Sequence, residues 1–356
     1  MFLYVYLLKN FKGKKIMKLS NKFFGAFLAS ILIGLSSAAY SFTACQVTDI
    51  GGVDDKGFNA TAWKGVQDAV AKHGIGSKLL ESKAETDYVP HLNSFVAEGC
   101  DVIVSVGFLM GEATSDAAKE NPSGKFAIVD FAYDPTISNV LGLIYNTDEA
   151  AFLAGYLAAG VSKTGIVGTF GGINIPPVTI FMDGFAAGVK HYNKTKGTNV
   201  AVLGWDPEAK EGLFTNNFSS LDDGRAFAQN LYDEGADIVM PVAGPVGLGS
   251  AALASELGTD SLKIIGVDVD QYVLDTKNAS VYLTTVEKGM DATVLGAIEA
   301  AKNGTFAGGV YVGTLANNGV RIAPYHDQAS AVSNGLNNEI QKLKSSIING
   351  FLSVKN

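Results

Sequence analysis

From residue 45 onward, short runs of apolar and β-branched residues alternate with amphipathic or alanine-rich stretches of helical period. The runs are CQVTDI (45–50), KLLES (78–82), DVIVSVG (101–107), FAIVDF (126–131), VLGLIY (140–145), GIVGTF (165–170), VAVLGW (200–205), DIVMPVA (237–243), KIIGVDVD (263–270), VYLTTV (281–286) and GVYVGTL (309–315). The helical stretches include NATAWKGVQDAVAKHG (59–74), DEAAFLAGYLAAGVSK (148–163), DDGRAFAQNLYDEG (222–235) and MDATVLGAIEAAKNG (290–304). ASAVSNGLNNEIQKLKSSIINGFL (329–352) reads as a terminal helix. A strand that is apolar along its whole length has both faces covered, and intervening helices supply the cover. The alternation therefore predicts βαβ units with parallel sheets. They are too many for one ordinary sheet, so the expected fold is α/β with two doubly wound lobes of about five or six strands each. The length of 356 residues agrees, at roughly 100–200 residues per domain.

Residues 1–41 stand apart. They hold Lys9, Lys12, Lys14, Lys15, Lys18 and Lys22 and no acid, then FFGAFLASILIGL (23–35), then small residues. A basic head, a short apolar middle and a small-residue end make a secretory signal peptide, with cleavage expected after Ser41. MKLSNK makes Met17 an alternative start. The apolar run is short of the ~20 residues of a membrane span. Lipid attachment at Cys45 is the rival form of export, although Phe42 stands where such processing wants a leucine-like residue. The protein is thus expected to be exported, periplasmic or lipid-anchored at the cell surface.

Charge and cysteine usage exclude several classes. A formal net charge of −8 argues against nucleic acid as a partner, since phosphate binding needs a basic face. Two cysteines cannot build a disulfide-rich scaffold or a four-thiolate zinc site. Cys45 opens the first run and Cys100 immediately precedes the third. In a flavodoxin-like order those strands are neighbours with their starts at one edge. In an exported protein this makes a Cys45–Cys100 disulfide a candidate, the alternative being two small buried thiols.

Ligands of open α/β sheets occupy the crevice beyond the carboxyl ends of the strands, so the residues after each run are the site candidates. Asp49, Gly51, Gly52, Asp54, Asp55, Phe58 and Asn59 follow the first, and Gly107, Phe108 and Gly111 the third. Asp130 and Phe131 end the fourth. Gly171-Gly172, Asp206, Gly244 with Gly247 and Gly249, and Asp268 with Asp270 follow later runs. Carboxylates accept hydrogen bonds from adjacent hydroxyls, aromatic faces stack on a flat ring, and glycines admit close backbone approach. The set suits a neutral, hydroxyl-rich ligand with a planar ring and disfavours phosphate. Each residue has a structural alternative: Asp49 can cap the next segment, Phe58 can be core, and Phe218, in the polar loop FTNNFSSLDDG (214–224), can pin that loop. Asp268 and Asp270 alternate faces, so at most one is expected to reach a ligand.

Signs of an enzyme are thin. There is no G-x-S-x-G elbow, P-loop or H-E-x-x-H. His73, His91, His191 and His326 share no metal-ligand spacing. No catalytic residue, metal or cofactor is expected.

TDIGGVDDKGFNATAWKG (48–65), NTDEAAFLAGYLAA (146–159), DGFAAGVK (183–190), GADIVMPVAGPVGLG (235–249) and IGVDVDQ (265–271) together resemble the basic membrane protein family, the substrate-binding components of ABC importers typified by a purine nucleoside receptor. The resemblance implies a type I periplasmic-binding-protein fold, with two lobes, three crossovers and a closing cleft. The lobes are expected at 42–147 with 273–305, and at 148–272 with 306–356. Carried over by position, Phe58 and Phe218 stack on a purine, Asp130 contacts the base, Asp49 and Asp268 accept ribose hydroxyls, and Gly244 offers its backbone. Asn59, beside Phe58, joins this ligand-binding set. The family's receptor places a ribose-binding lysine soon after its glycine loop, whereas GSAALAS (249–255) contains none. The expected function is capture of a purine nucleoside and delivery to an ABC permease by a monomeric protein. A sensory co-receptor, a binder of another polar ligand such as a sugar, and a nucleoside hydrolase-like enzyme are the alternatives.

Overall fold

The computed structural model describes residues 42–355. The expected signal peptide, its cleavage site and the alternative start at Met17 lie outside these residues. The chain opens with β1 (Thr43–Thr48), α1 (Phe58–His73), β2 (Gly76–Glu81), α2 (Tyr88–Ala97), β3 (Val102–Val106), α3 (Gly111–Glu120), β4 (Phe126–Val129) and β5 (Val140–Tyr145). Next come α4 (Thr147–Val161), β6 (Ile166–Gly171), α5 (Pro176–Lys196), β7 (Ala201–Leu203) and the ribbon β8 (Trp205–Asp206) and β9 (Glu211–Gly212). They are followed by α6 (Leu221–Asp233), β10 (Ile238–Val242), α7 (Val246–Leu257), β11 (Lys263–Asp268), the single turn α8 (Gln271–Leu274) and β12 (Tyr282–Lys288). α9 (Met290–Lys302), β13 (Gly309–Gly313), β14 (Val320–Ile322) and α10 (Asn334–Ile348) complete it.

Two six-stranded sheets result. Their orders are β13-β5-β4-β3-β1-β2 and β14-β12-β11-β10-β6-β7. The five strands β5-β4-β3-β1-β2 are matched one for one by β12-β11-β10-β6-β7, so the lobes repeat one topology. Every pairing within the sheets is parallel except β12 with β14. The central strands β3, β4, β10, β11 and β12 are buried at every position. That follows from helices on both faces, and it is why these strands read as continuous apolar runs rather than alternating ones. Helix ends obey local chemistry. α1 stops at Gly74, φ 62°, whose N–H donates to Val70 O. α5 begins on Pro176-Pro177, where prolines lack no needed donor. The Ser333 side chain accepts from Leu336 N–H to start α10.

The chain passes between lobes three times, but the later crossovers fall elsewhere than expected. Tyr282–Lys288 stays in the second sheet beside β11, so the return to the first lobe comes near 289, not 273. α9 then packs on α1, and β13 joins the first sheet beside β5, so re-entry to the second lobe follows 313, not 306. An apolar strand fits either core equally well, and only its pairing assigns it to a sheet. α10 lies on α4, with Tyr156 OH donating to Glu339 at 2.9 Å. VAVLGW divides at Gly204, φ 83°, where a Cβ would meet Thr169 O at 2.0 Å.

Cys45 in β1 and Cys100 before β3 are joined by a disulfide, Cα–Cα 6.0 Å, at the amino-terminal edge of the first sheet. The Cys45 sulfur is thereby committed, and the residue is fully buried. Lipid attachment there would also remove Phe42 and Thr43, whose carbonyls accept from Gly76 and Asp101 at 2.9 Å each. No helix among the described residues is long and apolar enough to cross a membrane.

Candidate functional site

The carboxyl edges of both sheets face one cleft of about 630 Å³, open solvent at its mouth included. Asp49, Phe58, Asn59, Asp130, Phe218, Gly244 and Asp268 all line it, as do Asp55, Phe108, Phe181 and Lys288. The seven residues expected to bind ligand thus share one cleft. Six follow strand ends, whereas Phe218, from the loop 214–224, was placed in the set by the family resemblance.

The first lobe's contribution begins after β1. Asp49 Oδ1 accepts from Gly51 N–H at 3.0 Å and Asn59 Nδ2 at 2.8 Å. Burial raises the Asp49 carboxyl, and those two donors partly oppose it. Asn59 Oδ1 is buried with no protein partner. Asp55 holds the start of α1: Oδ1 accepts from Gly57 N–H (2.9 Å) and Ala60 N–H (3.0 Å), and Oδ2 from Asn59 N–H (2.7 Å). Burial pushes its pKa up to about 6, against those three backbone bonds. This anchored turn fixes where Phe58 and Asn59 point.

Asp130 and Asp268 occupy matched places, at the carboxyl ends of β4 and β11. Both have left-handed backbones, φ 65° and φ 73°, a region that short polar side chains tolerate better than branched ones. The reversal ends the strand and turns each carboxylate toward the cleft. Asp270, two residues on, faces away and bonds His326 Nε2 at 2.7 Å. Asp206 is exposed and accepts from Glu208 and Ala209 N–H in its own turn.

Lys288, the last residue of β12, lies between these aspartates. Its Nζ is 2.6 Å from Asp130 Oδ2 and 3.4 Å from Asp268 Oδ1. It also sits 5.0 Å from the Phe58 ring centroid and 5.2 Å from that of Phe181. Burial works against its charge, but Asp130 and Asp268 outweigh burial and hold its pKa above the ordinary lysine value. Burial raises the Asp130 carboxyl while Lys288 opposes the rise. No lysine stands at 249–255, and Lys288 is the lysine that lines the cleft among the described residues. Reading VYLTTV two residues further, to its carboxyl end, would have found it.

Phe58 comes from the first lobe, Phe181 and Phe218 from the second. The Phe218 ring lies over Gly172, where a Cβ would be 2.3 Å from it. Gly244, φ 54°, has open space where a side chain would stand. None of the four histidines lines the cleft.

Two sheets of matched order with an aromatic and carboxylate cleft between their carboxyl edges define a two-lobed solute-binding protein of the type I periplasmic-binding-protein fold. Residues 42–356 match the family described as ABC transporter substrate-binding protein PnrA-like (Bmp). The chain belongs to that family. It is 34% identical over 303 residues to basic membrane protein A of Borreliella burgdorferi, covering 84% of each chain. It is 32% identical over 327 residues to the ABC transporter nucleoside-binding protein BmpA of Lactococcus lactis, covering 87% of this chain and 88% of that one. Among solved structures, an ABC transporter solute-binding protein of Aeropyrum pernix K1 superposes with a TM-score of 0.79 at 24% identity, over 88% of this chain and 92% of that one. The family's members bind solutes rather than transform them, and work with a small-molecule ligand and a membrane permease.

Proposed function

We propose that this protein, once exported, captures a purine nucleoside as a monomer and presents it to its permease. The observation that carries this reading is the composition of the cleft lining, in which Phe58 from one lobe and Phe218 from the other accompany the carboxylates Asp49 and Asp268. The rings stack on the base; Asp49 and Asp268 accept the ribose hydroxyls, and Gly244 offers its backbone. Asp130, Asn59 and Lys288 supply the remaining polar contacts, with Asp130 on the base. Water excluded by closure makes each of these bonds count for more than in solvent. The nucleoside-binding relative from Lactococcus lactis supports the same ligand class. Titration calorimetry with adenosine, guanosine and inosine, against ribose, free bases and amino acids, tests it. Saturable heat with the nucleosides is expected, and none with any of them refutes the assignment.

A further inference from the structure

Gln271 does not line the cleft, yet it reaches from one lobe to the other. It opens α8 in the second lobe, three residues after Asp268. Its Nε2 donates to the Lys56 carbonyl of the first lobe at 3.1 Å, and its backbone N–H to Thr285 Oγ1 at 3.2 Å. The side chain is built into the fold: Gly266 leaves it room, since a Cβ there would stand 2.8 Å from Gln271 Cγ. Only 8% of the residue is exposed.

The acceptor belongs to the turn that aims two ligand-facing side chains. Lys56 has a left-handed backbone, φ 50°. It lies between Asp55, which binds three N–H groups of that turn, and Phe58-Asn59. The Gln271 amide also covers Gly57, whose Cβ position is 3.8 Å from Nε2. Holding the Lys56 carbonyl therefore holds the turn. The amide comes at a cost, because Gln271 Oε1 is buried without a partner. A leucine of similar size would leave no polar atom idle. What the amide adds is its N–H donors: Nε2 donates at 3.4 Å to the Val267 carbonyl of its own lobe and, at the shorter 3.1 Å, to the Lys56 carbonyl of the opposite lobe.

We infer that Gln271 is a positioning residue for ligand capture, a latch that keeps the turn bearing Phe58 and Asn59 against the second lobe in the closed cleft and so slows ligand release. The inference rests on the nucleoside reading only for its choice of probe. A bond between lobes that is made on closure acts on the closed state, so its loss belongs in the dissociation rate rather than in encounter.

The test uses Gln271→Leu, which keeps volume and removes the donor. Stopped-flow fluorescence with adenosine, guanosine and inosine should show dissociation faster by about 3- to 10-fold, the worth of one hydrogen bond, with association unchanged. The unliganded unfolding midpoint should be no lower than in the native protein. An unchanged dissociation rate, or a loss confined to association, overturns the latch. A second measurement does not depend on the ligand. Spin labels at Val89→Cys and Leu221→Cys, both exposed and one on each lobe, report the separation of the lobes in unliganded protein. Gln271→Leu should shift the distances outward. If the native protein binds no nucleoside, the capture reading fails on its own, and an unshifted distance distribution still overturns the latch.

Discussion

Lys288 Nζ lies 2.6 Å from Asp130 Oδ2, joining the end of a strand in the second sheet to the residue that ends a strand in the first. Both side chains are nearly inaccessible, at 4% and 8% exposure. An ion pair so placed spans the cleft and leaves one ammonium among Asp49, Asp55, Asp130 and Asp268.

Replacing Lys288 by methionine leaves Asp130 and Asp268 without their counter-charge. Loss of one partner of a buried pair costs about 3–5 kcal/mol, and urea unfolding at neutral pH should show a loss of that size. The deficit should shrink in acid, as the stranded carboxylates take up protons. In the native protein the lysine's raised pKa means its contribution is full at neutral pH. That contribution fades only as pH climbs through a value above the ordinary lysine range. A variant as stable as the native protein at pH 7 would show that the pair contributes nothing.

Asp55 carries a pH dependence of opposite sense to most surface acids. Its carboxyl, ordinarily at 3.8, titrates at about 6 in the folded protein. The folded state thus holds this proton more tightly than the unfolded one, and stability falls as pH rises from about 3.8 to about 6. The difference amounts to roughly 3 kcal/mol, at about 1.4 kcal/mol per pH unit. Asp49 pulls in the same direction. Comparing unfolding free energies of native protein and Asp55→Asn across this range isolates the single group. Parallel profiles would mean that the carboxyl titrates normally.

The disulfide closes a loop between residues 55 apart in sequence. Chain-entropy arguments assign such a loop about 4 kcal/mol of stabilisation. Cys45→Ala with Cys100→Ala should lower the unfolding free energy by that order. Ligand affinity should be little changed, because the bond sits at the sheet edge opposite the cleft. Calorimetry that finds binding abolished in a folded double variant would contradict this separation.

Phe218→Ala should weaken nucleoside binding by about 1–3 kcal/mol if the ring stacks on the base. The matching nucleoside 5′-monophosphate should bind more weakly than the nucleoside, since the cleft sets several carboxylates against one ammonium. Equal affinity for both would show that the cleft's charge does not select its ligand.

The strand and helix periods were legible in the chain because burial on both faces leaves an unmistakable apolar run. Strand pairing, and hence the lobe to which Tyr282–Lys288 and Gly309–Gly313 belong, was not. Six of the seven site candidates stand where parallel sheets gather ligands, beyond strand ends. That rule alone also named Asp206 and Asp270, which lie outside the cleft. The choice among them, and the inclusion of Phe218 from a polar loop, came from the family resemblance. β14 escaped because Val320–Ile322 is short and carries Arg321 in its middle, too little pattern to stand out.

Local sequence therefore determined the elements, the sheet edge that faces the cleft and most of the residue types collected there. Long-range folding alone decided that Lys288 meets an aspartate 158 residues earlier and that Gln271 reaches a carbonyl 215 residues away. Periodicity reports which face of an element is buried, and carries no information about which distant element buries it.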